Sequence, residues 1–331
     1  MRVDAQTGTM RLAEAYAPVV EDLAQTQRIL ADELICDQAF ISDLCRHVGQ
    51  FQGKMLRPAL LLLSARACGE VQPAHHVLAA VVELVHIATL VHDDMLDEAD
   101  IRRRAATVNR LWGNERAVLM GDFLYSHAFH LCSGLDSQFA ARLVGQTAIT
   151  VCEGEMMQVA NRGNYDLTEA EYLDIISRKT GVLVETCCHL GARYAGADND
   201  TVRRMRAFGL ALGVAFQVVD DLLDLTGEES EVGKSLGRDV YEGEMTLPLI
   251  HCLRTAPERP RSRLLALLRG DDSQRCREVA ALLRGSDSLA YAQAVAHTHI
   301  ATAQQQIVDP PASAARDSLS AMAEFVLTRR Q

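Results

Sequence analysis

Residues Leu78 to Val91 carry only Glu83, His86 and Thr89 as clearly polar side chains. A helix this apolar on every side has no face to offer water and must lie inside the molecule. The run then ends in acid, at Asp93, Asp94 and Asp97. A second apolar run, reaching Val219, ends the same way, at Asp220, Asp221 and Asp224. In each cluster the first and last carboxylates stand at i and i+4, one helical turn apart on a shared face. Like charges at that spacing repel, and burying them unpaired is costly. For one such cluster a solvated acidic helix end is an equally good account. Two copies with matched apolar lead-ins favour a shared counter-ion. Hard divalent cations with oxygen ligands supply one, and Mg²⁺ typically takes one or two carboxylates together with water and substrate phosphates.

The rest of the chain is consistent with helices around such a site. Hydrophobic residues make up 48% of the 331, ample for a sizeable core, while aromatics are only 5%, so the Ala- and Leu-rich segments read as helix rather than strand. The expected fold is all-α, in one domain spanning 1–331. Long segments are expected over about 74–99, 114–135, 137–160, 200–225 and 314–328. Thr168 to Glu171 has the form of a capping box opening a helix that continues to Tyr194. The Gly- and charge-rich stretch from Gly227 to Met245 is expected to contain a flexible loop. A net charge of -11 argues against a nucleic-acid partner. Nine cysteines with no C-x-x-C pair point to free thiols in a cytoplasmic protein. The start, Met1-Arg2-Val3-Asp4, shows no apolar leader, and no membrane-spanning segment is expected.

Basic residues decide the chemistry. Gly53-Lys54-x-x-Arg57-Pro58 places two cations near a helix start, where Pro58 suits the first turn. Arg forks onto phosphate oxygens and Lys adds a point charge. This segment is followed, in order, by Asp93-Asp94-Met95-Leu96-Asp97 with Arg102-Arg103, Gly121-Asp122-Phe123-Leu124, Lys179-Thr180, Phe216-Gln217-x-x-Asp220-Asp221-x-x-Asp224, Gly233-Lys234 and Gly237-x-Asp239. The series resembles the trans-isoprenyl diphosphate synthase, or polyprenyl synthetase, family over about Gln52 to Leu249.

The resemblance implies an isoprenoid synthase type bundle around a deep central cavity, with the two clusters facing each other. It implies a magnesium-dependent prenyltransferase that joins isopentenyl diphosphate to an allylic diphosphate, using three Mg²⁺ ions with substrate bound. Asp93, Asp97 and Asp220 would be the metal ligands, supported by Asp94, Asp221 and Asp224. Gly53, Lys54, Arg57, His86 and Arg103 would hold isopentenyl diphosphate. Arg102, Lys179, Thr180, Gln217 and Lys234 would serve the allylic diphosphate. For His86, a satisfied core histidine is the alternative. His92 is read as structural, since His is a poor Mg²⁺ ligand. A homodimer is implied as well.

One position departs from the family pattern. The usual E-G-K-x-T-L-P-L is here Glu242-Gly243-Glu244-Met245-Thr246-Leu247-Pro248-Leu249, with an anion where a cation stands. Either phosphate contact there is lost, or another cation such as Lys234 or Arg238 takes it over. Ala88 and Thr89, one turn before Asp93, are small and imply a pocket that admits long products, the octaprenyl type first and geranylgeranyl second. Phe123, His127 and Phe129 are candidates for a lower floor or ordinary core. Two other classes share some of these features. A class I terpene cyclase uses the same metals, and a non-catalytic partner subunit shares the fold; the second aspartate cluster and the Lys54/Arg57 pair favour coupling over both.

Overall fold

The structure is a computed structural model and describes residues 12–51, 53–102, 105–227, 237–270, 274–308 and 313–329. It is helical nearly throughout. Helices α1 (Val20–Glu33), α2 (Ala39–Gly49), α3 (Leu56–Cys68) and α4 (Pro73–Leu96) lead to a two-stranded antiparallel hairpin, β1 (Ile101–Arg102) with β2 (Ala105–Ala106), in which Arg102 faces Ala105. After α5 (Val108–Trp112) come α6 (Asn114–Ser133), α7 (Gln138–Ala160), α8 (Glu169–Ile176), α9 (Val182–Tyr194) and α10 (Asn199–Thr226). A short α11 (Arg238–Glu242) precedes α12 (Leu247–Thr255), α13 (Glu258–Arg269), α14 (Arg275–Arg284), α15 (Ser288–Gln306) and α16 (Ala314–Thr328).

Helix α4 is the spine, as its composition requires. Leu78, Ala79, Ala80, Val81, Leu84, Ile87 and Ala88 are fully buried, and α4 packs on α6, α3 and α1. By length and composition α4 is also apolar enough to cross a membrane, contrary to the expectation that no segment would be. Its 18-residue window, of mean hydropathy 1.7, is 78% buried within the molecule, which matches the core helix the sequence calls for. The other aspartate-bearing helix, α10, packs against α9 and α15, and α9 in turn packs on α3. None of the nine cysteines is in a disulfide.

Two local features set up the site. The Thr168 box forms as read: the Thr168 hydroxyl accepts the Glu171 N–H at 3.2 Å, and the Glu171 carboxylate accepts the Thr168 N–H at 2.8 Å. The helix it opens is not uniform, however. Between α8 and α9, residues Ser177–Gly181 widen into a π turn, a device that re-aims side chains inside a helix and is common at functional positions. Helix α7 lies tight against this turn at Gly154, where a Cβ would come 2.5 Å from the Lys179 nitrogen and 2.8 Å from the Arg178 Cβ. Only a residue without a side chain fits there, and the close approach sets Lys179 beside Glu155.

The stretch expected to contain a loop also holds α11. Its first amides are capped by Asp224, whose carboxylate accepts the N–H groups of Arg238 and Asp239, both at 3.2 Å. Residues 228–236, with Gly233 and Lys234, lie outside the described residues, as does Arg103. Clefts of about 420 Å³, between Glu14 and Phe325, and about 300 Å³, between Val77 and His130, open on the surface. Neither lies between the aspartate clusters.

Candidate active site

The first cluster sits at the C-terminus of α4, with Asp97 as its cap. Asp94 is buried and accepts a 2.6 Å hydrogen bond from the Arg102 Nε, which the hairpin brings back over the helix end. Asp97 accepts from the Arg162 Nη2 at 3.1 Å, and its backbone carbonyl accepts from the Arg238 Nη2 at 2.8 Å. Asp93 is half-buried. Burial, aided by Glu155 and Asp97 and opposed by Lys179 and Arg102, raises its pKa to about 7. A buried carboxyl beside other carboxylates resists ionisation, and an added cation would favour its charged form.

The second cluster ends α10. Asp220 is exposed and pairs with Arg329 at 3.2 Å. Asp221 is buried and accepts from the Tyr172 hydroxyl at 2.6 Å and from the Gln217 side-chain amide at 2.8 Å. Burial raises its pKa to about 7 against those two hydrogen bonds, with Asp220 and Glu244 adding to the shift. Asp224 is committed to capping α11. The three aspartates therefore occupy three environments: solvent-facing, hydrogen-bonded core, and helix cap.

The clusters converge. Arg238 donates its backbone N–H to Asp224 while its guanidinium holds the carbonyl of Asp97 and lies 3.4 Å from the Asp97 carboxylate. One residue thus touches the last aspartate of both clusters. The π turn makes a second link. The Lys179 Nζ donates to Glu155 at 2.9 Å, on the Asp93 side, while the neighbouring Thr180 hydroxyl donates to Gln217 at 2.8 Å, which bonds Asp221. Burial works against the Lys179 charge, but Glu155, Asp93 and Glu244 outweigh it and hold its pKa above the ordinary lysine range. Adjacent residues on a helix point about 100° apart, so this turn is what lets Lys179 and Thr180 address the two clusters together.

The basic residues at the other end of the motif series lie at the start of α3, Lys54 just before it and Arg57 in its first turn. Arg57 is half-buried, and burial lowers its pKa while Glu83 of α4 opposes the shift. Lys54 is exposed, 5.7 Å from the ring of Phe325. Met55, between them, is a non-glycine residue at φ 51°, and Glu98, just after Asp97, is another at φ 47°. Such backbone is sparsely populated and tends to persist where function over-determines it. His86 and Thr89 are half-buried, Ala88 is fully buried, and His92 meets the Val118 carbonyl at 3.2 Å, in keeping with a packing role. The rings of Phe123 and His127 lie 4.4 Å apart, tilted by 52°, and His127 pairs with Glu33 at 2.7 Å.

Several residues at the site were not singled out from sequence: Glu155, Arg162, Tyr172, Glu83 and Arg329. Glu155 and Arg162 follow no aspartate motif, and Tyr172 sits inside an unremarkable apolar stretch. Arg329 lies near the chain end, with its guanidinium 3.9 Å over the ring of Phe216. Only their convergence in space marks them.

Comparison with known proteins agrees with this arrangement. A family model described as polyprenyl synthetase matches residues 38–285. A short chain isoprenyl diphosphate synthase from Methanothermobacter thermautotrophicus is 34% identical, covering 94% of this chain and 98% of that protein. The octaprenyl diphosphate synthase of Escherichia coli is 32% identical, covering 97% and 99%. Among solved structures, a polyprenyl synthase from Caulobacter crescentus, complexed with calcium and isoprenyl diphosphate, superposes with a TM-score of 0.91 at 32% identity, covering 97% of this chain and 98% of that one. With the all-helical fold, the two converging aspartate clusters and these matches over nearly the whole length, the chain is a prenyltransferase of the polyprenyl synthetase family.

Proposed function

We propose that this chain elongates an allylic diphosphate with isopentenyl diphosphate to give an all-trans polyprenyl diphosphate. The observation that carries the reading is the bridge by Arg238, Lys179 and Thr180 between two carboxylate clusters that have no other reason to share a site. Helices α15 and α16, beyond the family match, pack on α10, which supports one domain spanning 1–331. Free thiols support a reducing, cytoplasmic setting.

The donor set fits magnesium. It consists of carboxylate oxygens, two of them on groups whose pKa is raised chiefly by burial, with neighbouring carboxylates adding to the shift, and hard cations take such ligands. Asp93, Asp97 and Asp220 would hold three ions with substrate, and Asp94 and Asp221, buried against Arg102 and against Tyr172 and Gln217, would support them. Bound Mg²⁺ neutralises the charge that develops on a departing diphosphate. Lys179 and Arg102 add fixed positive charge at the same place, and preorganised charge of this kind usually contributes more than any other effect to such catalysis. Thr180 and Gln217 orient the same group by hydrogen bonding. Lys54, Arg57 and His86 receive isopentenyl diphosphate at the N-terminal end of α3, beside the apolar wall of α4, which keeps water from the allylic cation. The released diphosphate accepts the proton lost when the new double bond forms. The purified chain with Mg²⁺, a primer and isopentenyl diphosphate is expected to give elongated products, and Asp220→Asn to lower kcat by about 100-fold or more. Cyclic hydrocarbon from the primer alone, or no product without a partner chain, contradicts the reading.

For product length, Thr89 is the half-buried small residue on the site side of α4, and a small residue there supports a long product of the octaprenyl type, with geranylgeranyl as the second candidate. Thr89→Phe is expected to shorten the dephosphorylated products seen by chromatography; an unchanged spectrum removes Thr89 from the pocket.

A homodimer through α6 and α7 is supported by the exposed apolar residues Leu119, Phe129, Ile149 and Met156 on these neighbouring helices. Sedimentation is expected to show a dimer that Leu119→Arg dissociates; a monomeric wild type contradicts it.

The raised carboxyls also fix a pH dependence. Their unfolded pKa is near 3.9, so below about pH 4 they are protonated in both states and cost nothing. Between about pH 4 and 7 the unfolded chain ionises them while the folded chain does not, so stability falls as pH rises. Without metal, Tm is expected to drop across that window, and added Mg²⁺ to restore more at pH 8 than at pH 5. A flat metal-free profile contradicts the electrostatics of the site.

A further inference from the structure

The geometry points to Arg162 as the cation that offsets Glu244 and positions the first aspartate cluster for a diphosphate. Its Nη2 lies 3.1 Å from Asp97, 3.5 Å from Glu242 and 3.5 Å from Glu244. The carboxylate oxygens of those three residues lie within 4.8 Å of one another. Three like charges that close repel strongly unless a cation sits among them, and the guanidinium of Arg162 sits there. Arg238 is shared between Asp97 and Glu242, so Arg162 is the cation paired with Glu244 among the described residues.

The contact is built by the backbone. Gly163 and Gly243 adopt φ 72° and 75°, the left-handed region open to glycine at no steric cost. The Gly163 N–H donates to the Gly243 carbonyl at 2.8 Å, and a Cβ on Gly243 would already be 3.3 Å from the Gly163 nitrogen. The turn after α7 is therefore docked on the turn after α11, which brings Arg162 beside Glu242 and Glu244. The amide of Glu244 is held in turn by the Asp239 carbonyl at 2.8 Å. Opposite charges meet across this backbone contact: the anion is on the α11 side, and the cation is on the α7 side. The Arg162 Nε is buried and has no hydrogen-bond partner among the described residues.

The inference rests on the proposed diphosphate chemistry, and its test reads binding apart from turnover. The probe is inorganic pyrophosphate with Mg²⁺, titrated calorimetrically into the full chain, with Tm recorded for every variant. Arg162→Gln is expected to weaken pyrophosphate binding about tenfold or more and to raise the KM for the allylic diphosphate more than that for isopentenyl diphosphate. Adding Glu244→Lys to it is expected to recover binding to within about threefold of wild type, because the cation then stands on the other turn. Should Arg162→Gln not fold, Glu244→Gln alone is decisive: removing one opposing carboxylate is expected to tighten pyrophosphate binding about threefold. Unchanged binding in folded Arg162→Gln, a double variant that regains Tm but not binding, or no tightening in Glu244→Gln overturns the role. If the wild type fails to elongate a primer, the functional reading falls; if it elongates and the cycle fails, only Arg162 does.

Discussion

Repulsion among carboxylates, gathered at the ends of two apolar helices, is the constraint on which the rest of the structure depends. Asp93, Asp94 and Asp97 end α4, Asp220, Asp221 and Asp224 end α10, and Glu155, Glu242 and Glu244 crowd in beside them. Asp220 still faces solvent, but water screens the enclosed groups poorly, so they must be answered by protein. The answers come from distant parts of the chain: Arg102 from the hairpin, Arg162 from the turn after α7, Lys179 from the π turn, Arg238 from α11 and Arg329 from beyond α16. Holding these elements together is a requirement of the acidic site as much as of the apolar core.

The compensation is incomplete, and the remainder carries the function. Asp94 has Arg102, Asp221 has Tyr172 and Gln217, and Asp224 has the amides of α11. At Asp93, burial together with Glu155 and Asp97 outweighs Lys179 and Arg102 and pushes the pKa up to about 7. A site short of positive charge binds divalent cations, and cations held there attract a diphosphate. The apolar body of α4 beside it gives the carbocation a place without water.

Much of this was legible from sequence because it rests on short-range periodicity. Leu78 to Val91 could only be a buried helix, and the i, i+4 spacing placed the outer aspartates on one face. The Thr168 box and the final helix from Ala314 to Thr328 formed as read. The π turn at Ser177–Gly181 was not legible, since its cause is the tertiary approach of Gly154. The different duties of Asp220, Asp221 and Asp224 depend on which segment returns to each, which spacing does not encode. Arg162 was invisible for the same reason: nothing around it signals a site until Gly163 docks on Gly243. The departure at Glu244 was visible, and its partner was not.

Anomalous diffraction from crystals grown with Mn²⁺ and inorganic pyrophosphate tests the shared site most directly. Peaks are expected within bonding distance of carboxylate oxygens of Asp93 and Asp97 on one side and Asp220 on the other, with one pyrophosphate between them. Manganese at a single cluster, or pyrophosphate bound away from both, would contradict a common metal-held diphosphate.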